Sequence, residues 1–241
     1  VGIQLAIAFG KERDTIGFDP DRSKIHAYRS GVDTTGELTG ADLAGAKRLT
    51  YTDNGEDLSG CGIFVVAVPT PVNETNQPEF SPLVAASRTV GSVLDQGGIV
   101  IYESTVYPGC TEEDCVPILE RESGLKFNVD FGVGYSPERI NPGDKKHNIN
   151  NICKIISGST PKISNVINKL YKKIIKAGTY KAPSIRVAEA AKIAKKTSSS
   201  HCILRDENGW ISSPPSTPNG STGYAPAWAS LWRTGAVALP N

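Results

Sequence analysis

The side chains of this sequence that could perform chemistry lie in three separate segments. Thr105 ends the apolar run GGIVIYEST, Glu138 and Arg139 are adjacent in the Gly/Pro-rich segment YSPERINPGDKKH, and Lys192 lies in VAEAAKIAKK. A hydroxyl can orient a water molecule, a carboxylate can exchange protons, and an ammonium can stabilise an oxyanion. Each also has a structural reading: a strand-end threonine that bonds the backbone, an exposed Glu138–Arg139 ion pair, and an ordinary helix pair of Glu189 with Lys192.

Composition limits the classes of protein to consider. The chain has 241 residues, of which 39% are hydrophobic and 21% charged, and its formal net charge is +1. These values are typical of one or two globular domains and give no electrostatic reason to expect nucleic acid or a membrane as a partner. No apolar run approaches the ~20 residues that span a bilayer.

The sulfur-containing residues give two further expectations. The 5 cysteines form no CxxC and have no regular spacing, so neither a disulfide framework nor a metal site is predicted, and a cytoplasmic location is the default. The sequence contains no methionine, which indicates a missing N-terminal segment.

Strand and helix patterns alternate along the chain. The apolar runs 62–70 and 97–105 are typical of strands buried on both faces, and a helix is predicted after each, the second capped by Thr111. This alternation predicts a doubly wound, mostly parallel Rossmann-like α/β sheet. Ligands of such sheets bind at the carboxyl ends of the strands, where the sequence has Asp19, Pro69-Thr70-Pro71, Ser104-Thr105 and Ser136-Pro137-Glu138.

The chain divides into three parts by its patterns. Residues 1–182 are predicted to be a nucleotide-binding domain without its first strand, and residues 183–197 the start of a long helix. Residues 198–241 are rich in Ser, Pro, Gly and Trp and show no sustained periodicity. An irregular or frameshift-like tail is the preferred interpretation of this part, and a small module is the alternative.

Two segments, YESTVYPGCTEE and SPERINPGDK, resemble the UDP-glucose/GDP-mannose dehydrogenase family. They are most similar to its branch that acts on UDP-N-acetylhexosamines, and the resemblance covers about residues 1–195. It implies oxidation of the C6 hydroxymethyl group of a UDP-sugar to a carboxylate, with two NAD reduced in succession, for surface-polysaccharide synthesis. It also implies that full-length relatives are homodimers.

The cofactor residues follow partly from spacing and partly from this resemblance. Gly2, just before an apolar helix, fits the last glycine of a G-x-G-x-x-G turn, and Asp19 ends the next predicted strand. Asp19 then accepts hydrogen bonds from the ribose, which favours NAD over NADP, or else it caps the following helix. The resemblance places Lys24 near the adenosine. It also places Val68, Pro69 and Thr70 near the nicotinamide half, and it implies that Thr105 is a further cofactor-binding residue.

The resemblance also assigns the catalytic residues. It implies that Thr105 positions water, that Glu138 performs acid–base work, that Arg139 binds the sugar or its phosphates, and that Lys192 lies near the C6 oxygen. The family needs a cysteine nucleophile, for which Cys202 is a weak candidate. It lies only about ten residues after Lys192, and no glycine pair precedes it.

Two alternatives remain open from the sequence. The chain could be a non-catalytic fragment that at most binds nucleotide, or a 3-hydroxyacid-type dehydrogenase, which would not need the SPERINPGDK loop. A sheet without its first strand exposes two unpaired strand edges, so weak NAD binding and no turnover are expected of this exact chain.

Overall fold

A computed structural model describes residues 2–34, 36, 38–71, 78–137, 153–197 and 236–240. In this part of the chain the α-helices are α1 Gly2–Glu12, α2 Arg22–Arg29, α3 Gly40–Ala44, α4 Ser81–Gly91, α5 Val116–Ser123, α6 Pro161–Lys172 and α7 Ile185–Thr197. The strands are β1 Thr15–Phe18, β2 Leu49–Thr52, β3 Cys61–Val66, β4 Ile99–Tyr102, β5 Gly132–Tyr135, β6 Lys154–Gly158, β7 Thr179–Lys181 and β8 Ala236–Pro240. No helix among these is long and apolar enough to cross a membrane.

The strands form one sheet in the order β2-β1-β8-β3-β4-β5-β6-β7. The pairs β1–β2, β3–β4, β4–β5 and β6–β7 are parallel, while β6 is antiparallel to β5 and β8 is antiparallel to both its neighbours. The mostly parallel, doubly wound sheet expected from the sequence is confirmed.

The sheet is covered on both faces, which explains why its central strands have continuous apolar sequences. On β3, Phe64 and Val66 face one core cluster together with α4, α5 and α7. The intervening Val65 faces the other cluster, which contains α1 and α6. The helix α1 approaches the sheet closely, since a Cβ on Gly10 would lie 2.6 Å from the Cβ of Leu49.

The strand β8 differs from the expected irregular tail and from the expected pair of unpaired edges. Residues 198–235 of the predicted tail lie outside the described residues, but Ala236–Pro240 lies between β1 and β3 and pairs with both. In the doubly wound order 3-2-1-4-5-6, this is the place of the first strand. The sequence did not predict this strand, because burial of an apolar pentapeptide between two strands is a tertiary effect that local periodicity does not reveal.

The helical segment after β4 also begins differently from the prediction. A single turn of π-helix, Thr111–Cys115, leads into α5. Cys110 occupies its N-cap position, and no side chain of that residue caps it. The hydroxyl of Thr111 is buried without a hydrogen-bond partner among the described residues. The predicted cap by Thr111 is therefore wrong, and the Glu189 carboxylate, described below, takes that role.

Candidate functional site

The carboxyl ends of the parallel strands lie side by side at one edge of the sheet. The last residues of β3, β4 and β5 are in register, since Val66 pairs with Tyr102 and Tyr102 with Tyr135. Asp19 follows β1 at the same edge. The register therefore brings the predicted cofactor residues after β1, β3 and β4 to one side of the sheet, as the sequence indicated.

A cleft that opens to solvent lies at this edge beside β1. Its wall includes Gly2 at the start of α1, Asp19 after β1, Tyr51 of β2, and Ala236 and Val237 of β8. The N-terminus of α1 thus borders the cleft with its positive dipole end and its unsatisfied N–H groups. This arrangement suits an anionic group such as a phosphate.

Asp19 is 5% exposed. Its Oδ1 accepts a hydrogen bond from the amide of Asp21 at 2.9 Å, and its Oδ2 is 3.4 Å from the Nζ of Lys24. Burial raises the pKa of the Asp19 carboxyl above its usual value, although the Asp21 amide and the Lys24 ammonium oppose that shift. Since Asp21 caps α2, the alternative that Asp19 caps this helix is wrong.

Lys24 contacts Asp19 directly. Its side chain is 14% exposed and extends from the first turn of α2 to the Asp19 carboxylate. The Lys24 ammonium partly offsets the effect of burial on the Asp19 pKa, because a nearby positive charge favours the ionised carboxylate.

Tyr51 was missed by the sequence-based prediction. It borders the cleft, its ring lies 5.6 Å from that of Tyr28, and its hydroxyl is buried without a partner among the described residues. Burial is the main cause that raises the pKa of Tyr51 to about 12, so the hydroxyl stays protonated and able to donate. An unpartnered buried hydroxyl beside a cleft is a signal that only the folded structure provides.

Replacing Tyr51 with phenylalanine tests whether a ligand uses this hydroxyl. Without ligand the variant should be at least as stable as the wild type, because removal of an unsatisfied buried group costs little. Added NADH should raise the melting temperature of Tyr51→Phe less than that of the wild type. An equal rise in both proteins would show that the hydroxyl plays no part in binding.

Ser104 joins the ends of β3 and β4. Its hydroxyl donates to the carbonyl of Val68 at 2.6 Å, and its own carbonyl accepts from the hydroxyl of Tyr135 at 2.9 Å. Ser104, which directly precedes Thr105, thus makes hydrogen bonds to both neighbouring segments. Thr105 itself is half-buried and follows directly, so this network fixes the backbone on which it and Val68 lie.

Removing the Ser104 hydroxyl should loosen this junction. We expect Ser104→Ala to lower the free energy of unfolding by about 1–3 kcal/mol, because the buried Val68 carbonyl loses its donor. Ser92→Ala is the matched control, since that exposed hydroxyl also donates to a backbone carbonyl, that of Thr89 at 2.9 Å. Its effect should stay within about 0.5 kcal/mol in the same urea denaturation, and equal losses in both variants would contradict the role given to Ser104.

The Glu189–Lys192 pair is not an ordinary exposed helix pair. Glu189 is 0% exposed, and its carboxylate accepts hydrogen bonds from the amides of Gly109 at 2.5 Å and Thr111 at 3.0 Å. A carboxylate at this place complements the positive end of the helical segment that begins there. Half-buried Lys192 lies three residues further along α7, so Glu189 ties its helix to the segment that follows Thr105.

Three of the four cysteines in the described part of the chain are buried. Cys110 and Cys115 are buried beside each other at the start of this helical segment, and Cys61 is buried in the core. The contact with Cys115 and then burial raise the pKa of the Cys110 thiol, which opposes thiolate formation. Their interpretation as structural cysteines agrees with this. The described residues contain no group of His, Cys, Asp or Glu side chains that could hold a metal ion.

Three predicted site residues lie outside the described residues: Glu138, Arg139 and Cys202. Their assignments therefore stay predictions. Of the remaining predicted residues, Gly2 and Asp19 lie in the wall of the cleft, and Lys24 contacts Asp19. It holds Val68 and Thr105 together through Ser104.

Comparison with known proteins gives consistent matches. Residues 1–175 match the profile of the UDP-glucose/GDP-mannose dehydrogenase family, NAD binding domain. The UDP-N-acetyl-D-glucosamine 6-dehydrogenase of Pseudomonas aeruginosa is 56% identical over 197 residues, which are 82% of this chain and 47% of that protein. The protein of the same name from Salmonella typhi is 55% identical and matches 82% of this chain and 46% of its own length.

Solved structures agree with the sequence matches. The UDP-D-ManNAc dehydrogenase of Pyrococcus horikoshii superposes with a TM-score of 0.76 at 34% identity, over 81% of this chain and 47% of that one. An NDP-N-acetyl-D-galactosaminuronic acid dehydrogenase from Methanosarcina mazei gives 0.75 at 30% identity, over 82% and 45%. The chain thus spans about half the length of the relatives it matches.

Proposed function

Because the chain belongs to the UDP-glucose/GDP-mannose dehydrogenase family, we propose that it supplies the NAD-binding part of an NAD-dependent 6-dehydrogenase. The substrate we propose is a UDP-N-acetylhexosamine, whose C6 hydroxymethyl group is oxidised to a carboxylate for surface-polysaccharide synthesis in the cytoplasm. The family assignment sets aside the 3-hydroxyacid-type alternative.

The observation that supports the cofactor assignment is the position of Asp19. Its buried carboxylate stands at the end of β1, in the wall of a cleft that also includes the N-terminus of α1. A carboxylate there can accept the ribose hydroxyls and would repel a 2′-phosphate, which fits NAD rather than NADP. The helix N-terminus can hold the pyrophosphate.

The other predicted site residues would carry out the reaction. Bound NAD would supply the acceptor for the hydride that leaves C6. Thr105, on the backbone that Ser104 fixes to Val68, orients water near the reacting carbon. Glu138 exchanges protons with the substrate oxygen and with this water, while Lys192 stabilises the negative charge that develops on the C6 oxygen.

The choice of substrate is supported by the relatives. The two curated relatives above are named UDP-N-acetyl-D-glucosamine 6-dehydrogenase, at 56% and 55% identity. More distant relatives, at 34% and 27% identity, are named UDP-N-acetyl-D-mannosamine dehydrogenase. We therefore favour the gluco configuration of the hexosamine.

A chimera tests the proposal without requiring activity of this chain alone. The matched part of the Pseudomonas aeruginosa relative is replaced by the corresponding residues of this chain, and NADH absorbance is followed with UDP-N-acetylglucosamine. We expect two NADH for each sugar oxidised, faster turnover than with UDP-glucose, and loss of turnover in the same chimera with Thr105→Ala. A folded chimera that binds NADH but oxidises no UDP-hexosamine would refute the proposed activity.

A further inference from the structure

Three ionisable side chains are buried together just beyond the end of β4. Glu103 is 2% exposed, Lys154 is 7% exposed and Tyr171 is fully buried. The Nζ of Lys154 lies 2.7 Å from Oε2 of Glu103 and 5.3 Å from the centre of the Tyr171 ring. The hydroxyl of Tyr171 donates a hydrogen bond to Oε1 of Glu103. We call these three residues the charge cluster; none of them belongs to the predicted site.

The charge cluster joins elements on either side of β5. Glu103 follows β4 and Lys154 begins β6, and β5 lies between these two strands in the sheet. Tyr171 belongs to α6, which covers this face of the sheet. Because neighbouring strands are about 4.8 Å apart, a pair that reaches across β5 needs two long side chains, which glutamate and lysine supply. The cluster therefore fixes the end of β4 relative to β6 and α6, across the strand that leads to Glu138.

Packing alone does not require charges at this place. Ile101 and Ile156, two residues before Glu103 and two after Lys154, belong to the same apolar cluster as Tyr171. Alternate residues of a strand face the same side of a sheet, so apolar side chains at positions 103 and 154 would simply extend that cluster. Well-packed apolar residues are often at least as stabilising as a buried ion pair. What the ion pair adds is a defined geometry, because charge-assisted hydrogen bonds are short and directional.

The backbone carries this geometry to Thr105. The amide of Glu103 donates to the carbonyl of Val66 at 2.9 Å, and the next residue, Ser104, donates from its hydroxyl to the carbonyl of Val68 at 2.6 Å. Both residues before Thr105 are therefore held, the first of them by its main chain and by its buried carboxylate. A hydroxyl that orients a reacting water tolerates little displacement, since a shift of about 1 Å can lower a rate about a hundredfold.

We propose that the charge cluster is a positioning group for the dehydrogenase reaction, which holds the end of β4 so that the Thr105 hydroxyl keeps its place beside the reacting carbon. This inference rests on the proposed function. In this role the three side chains touch neither substrate nor cofactor and act through Thr105. Their loss should therefore reduce turnover far more than it reduces the binding of substrate or NAD.

Kinetics of the chimera described above test this role. Glu103→Gln combined with Lys154→Met removes both charges together and leaves no uncompensated buried ion, so this double variant should fold. We expect its kcat to be at least about tenfold below that of the unsubstituted chimera, while the KM for UDP-N-acetylglucosamine and the Kd for NADH stay within about twofold.

Ser87→Ala is the matched control. It removes another buried hydrogen bond of the same strand, the one between Ser87 and the hydroxyl of Tyr102 at 2.8 Å, on the opposite face of the sheet. Its kcat should equal that of the unsubstituted chimera. An unchanged kcat in the folded double variant would overturn the inference, as would an equal loss of kcat in the Ser87→Ala control.

A milder variant decides the matter if the double variant does not fold. Tyr171→Phe removes one hydroxyl and keeps the ring that packs against Phe9. It should lower kcat at least about threefold at unchanged KM, because Glu103 loses one of its hydrogen bonds. An unchanged kcat in this variant would contradict the role of the cluster.

Hydrogen exchange separates this inference from the proposed function. In the whole chain without substrate, the amide of residue 103, which is bonded to Val66, should exchange at least about tenfold faster in the double variant than in the wild type. Equal exchange would overturn the inference whatever the activity of the chimera. If the unsubstituted chimera oxidises no UDP-hexosamine, the proposed function fails, and the exchange result still decides whether the cluster holds the strand end that carries Thr105.

Discussion

Replacing Lys154 with methionine is expected to lower the free energy of unfolding by about 3–5 kcal/mol. The Nζ of Lys154 lies 2.7 Å from Oε2 of Glu103, whose other oxygen accepts from the hydroxyl of Tyr171. Glu103 is 2% exposed. The variant would leave its carboxylate buried without its cationic partner, which costs far more than the pair itself contributes.

Urea denaturation of the single and double variants separates this cause from lost packing. Adding Glu103→Gln to Lys154→Met should recover most of the loss, because a neutral amide needs no buried counter-charge and still accepts from Tyr171. If the double variant were as unstable as the single one, the buried carboxylate would not be the cause. Glu103 directly precedes Ser104 and Thr105, so this pair also supports the backbone of the candidate site.

Removing the Glu189 carboxylate is the second large expected effect. Glu189→Ala should lower the free energy of unfolding by about 3 kcal/mol, since the amides of Gly109 and Thr111 lose a charged acceptor and the helical segment loses a favourable charge at its start. Val187→Ala on the same helix is the control, because Val187 is 46% exposed. The control should change stability by about 0.5 kcal/mol or less.

The same Glu189 substitution has a functional readout. Because Glu189 ties α7 to the segment after Thr105, the chimera described above with Glu189→Ala should lose turnover while NADH still binds. Unchanged turnover in a folded Glu189→Ala chimera would mean that the tie does not position Lys192 or Thr105 for the reaction.

The sequence alone predicted the features of the fold that depend on local hydrophobic pattern and on where parallel strands end. The buried strands around Val65 and Ile101 and the common edge of Asp19 and Thr105 follow from apolar runs and from the rules for parallel sheets. The family resemblance, based on YESTVYPGCTEE and SPERINPGDK, is confirmed by the match over residues 1–175.

Long-range partners could not be predicted in the same way. Glu189 reaches Thr111 from 78 positions away, and Lys154 reaches Glu103 from 51. Nothing in either residue's neighbourhood marks it as the partner. The strand Ala236–Pro240 is recognisable only once the slot between β1 and β3 exists, because five apolar residues beside a Ser/Pro-rich segment give no periodic signal.

The central claim, that the cleft beside β1 binds NAD through Asp19, is tested most directly by titrating NADH into the chain and into two variants while following NADH fluorescence. The wild type should bind saturably, and Asp19→Ala should weaken binding by at least about tenfold. The control Asp14→Ala, which removes an exposed carboxylate paired with Arg48, should leave affinity unchanged. Equal affinities of the wild type and Asp19→Ala, or no saturable binding by the folded wild type, would contradict the account.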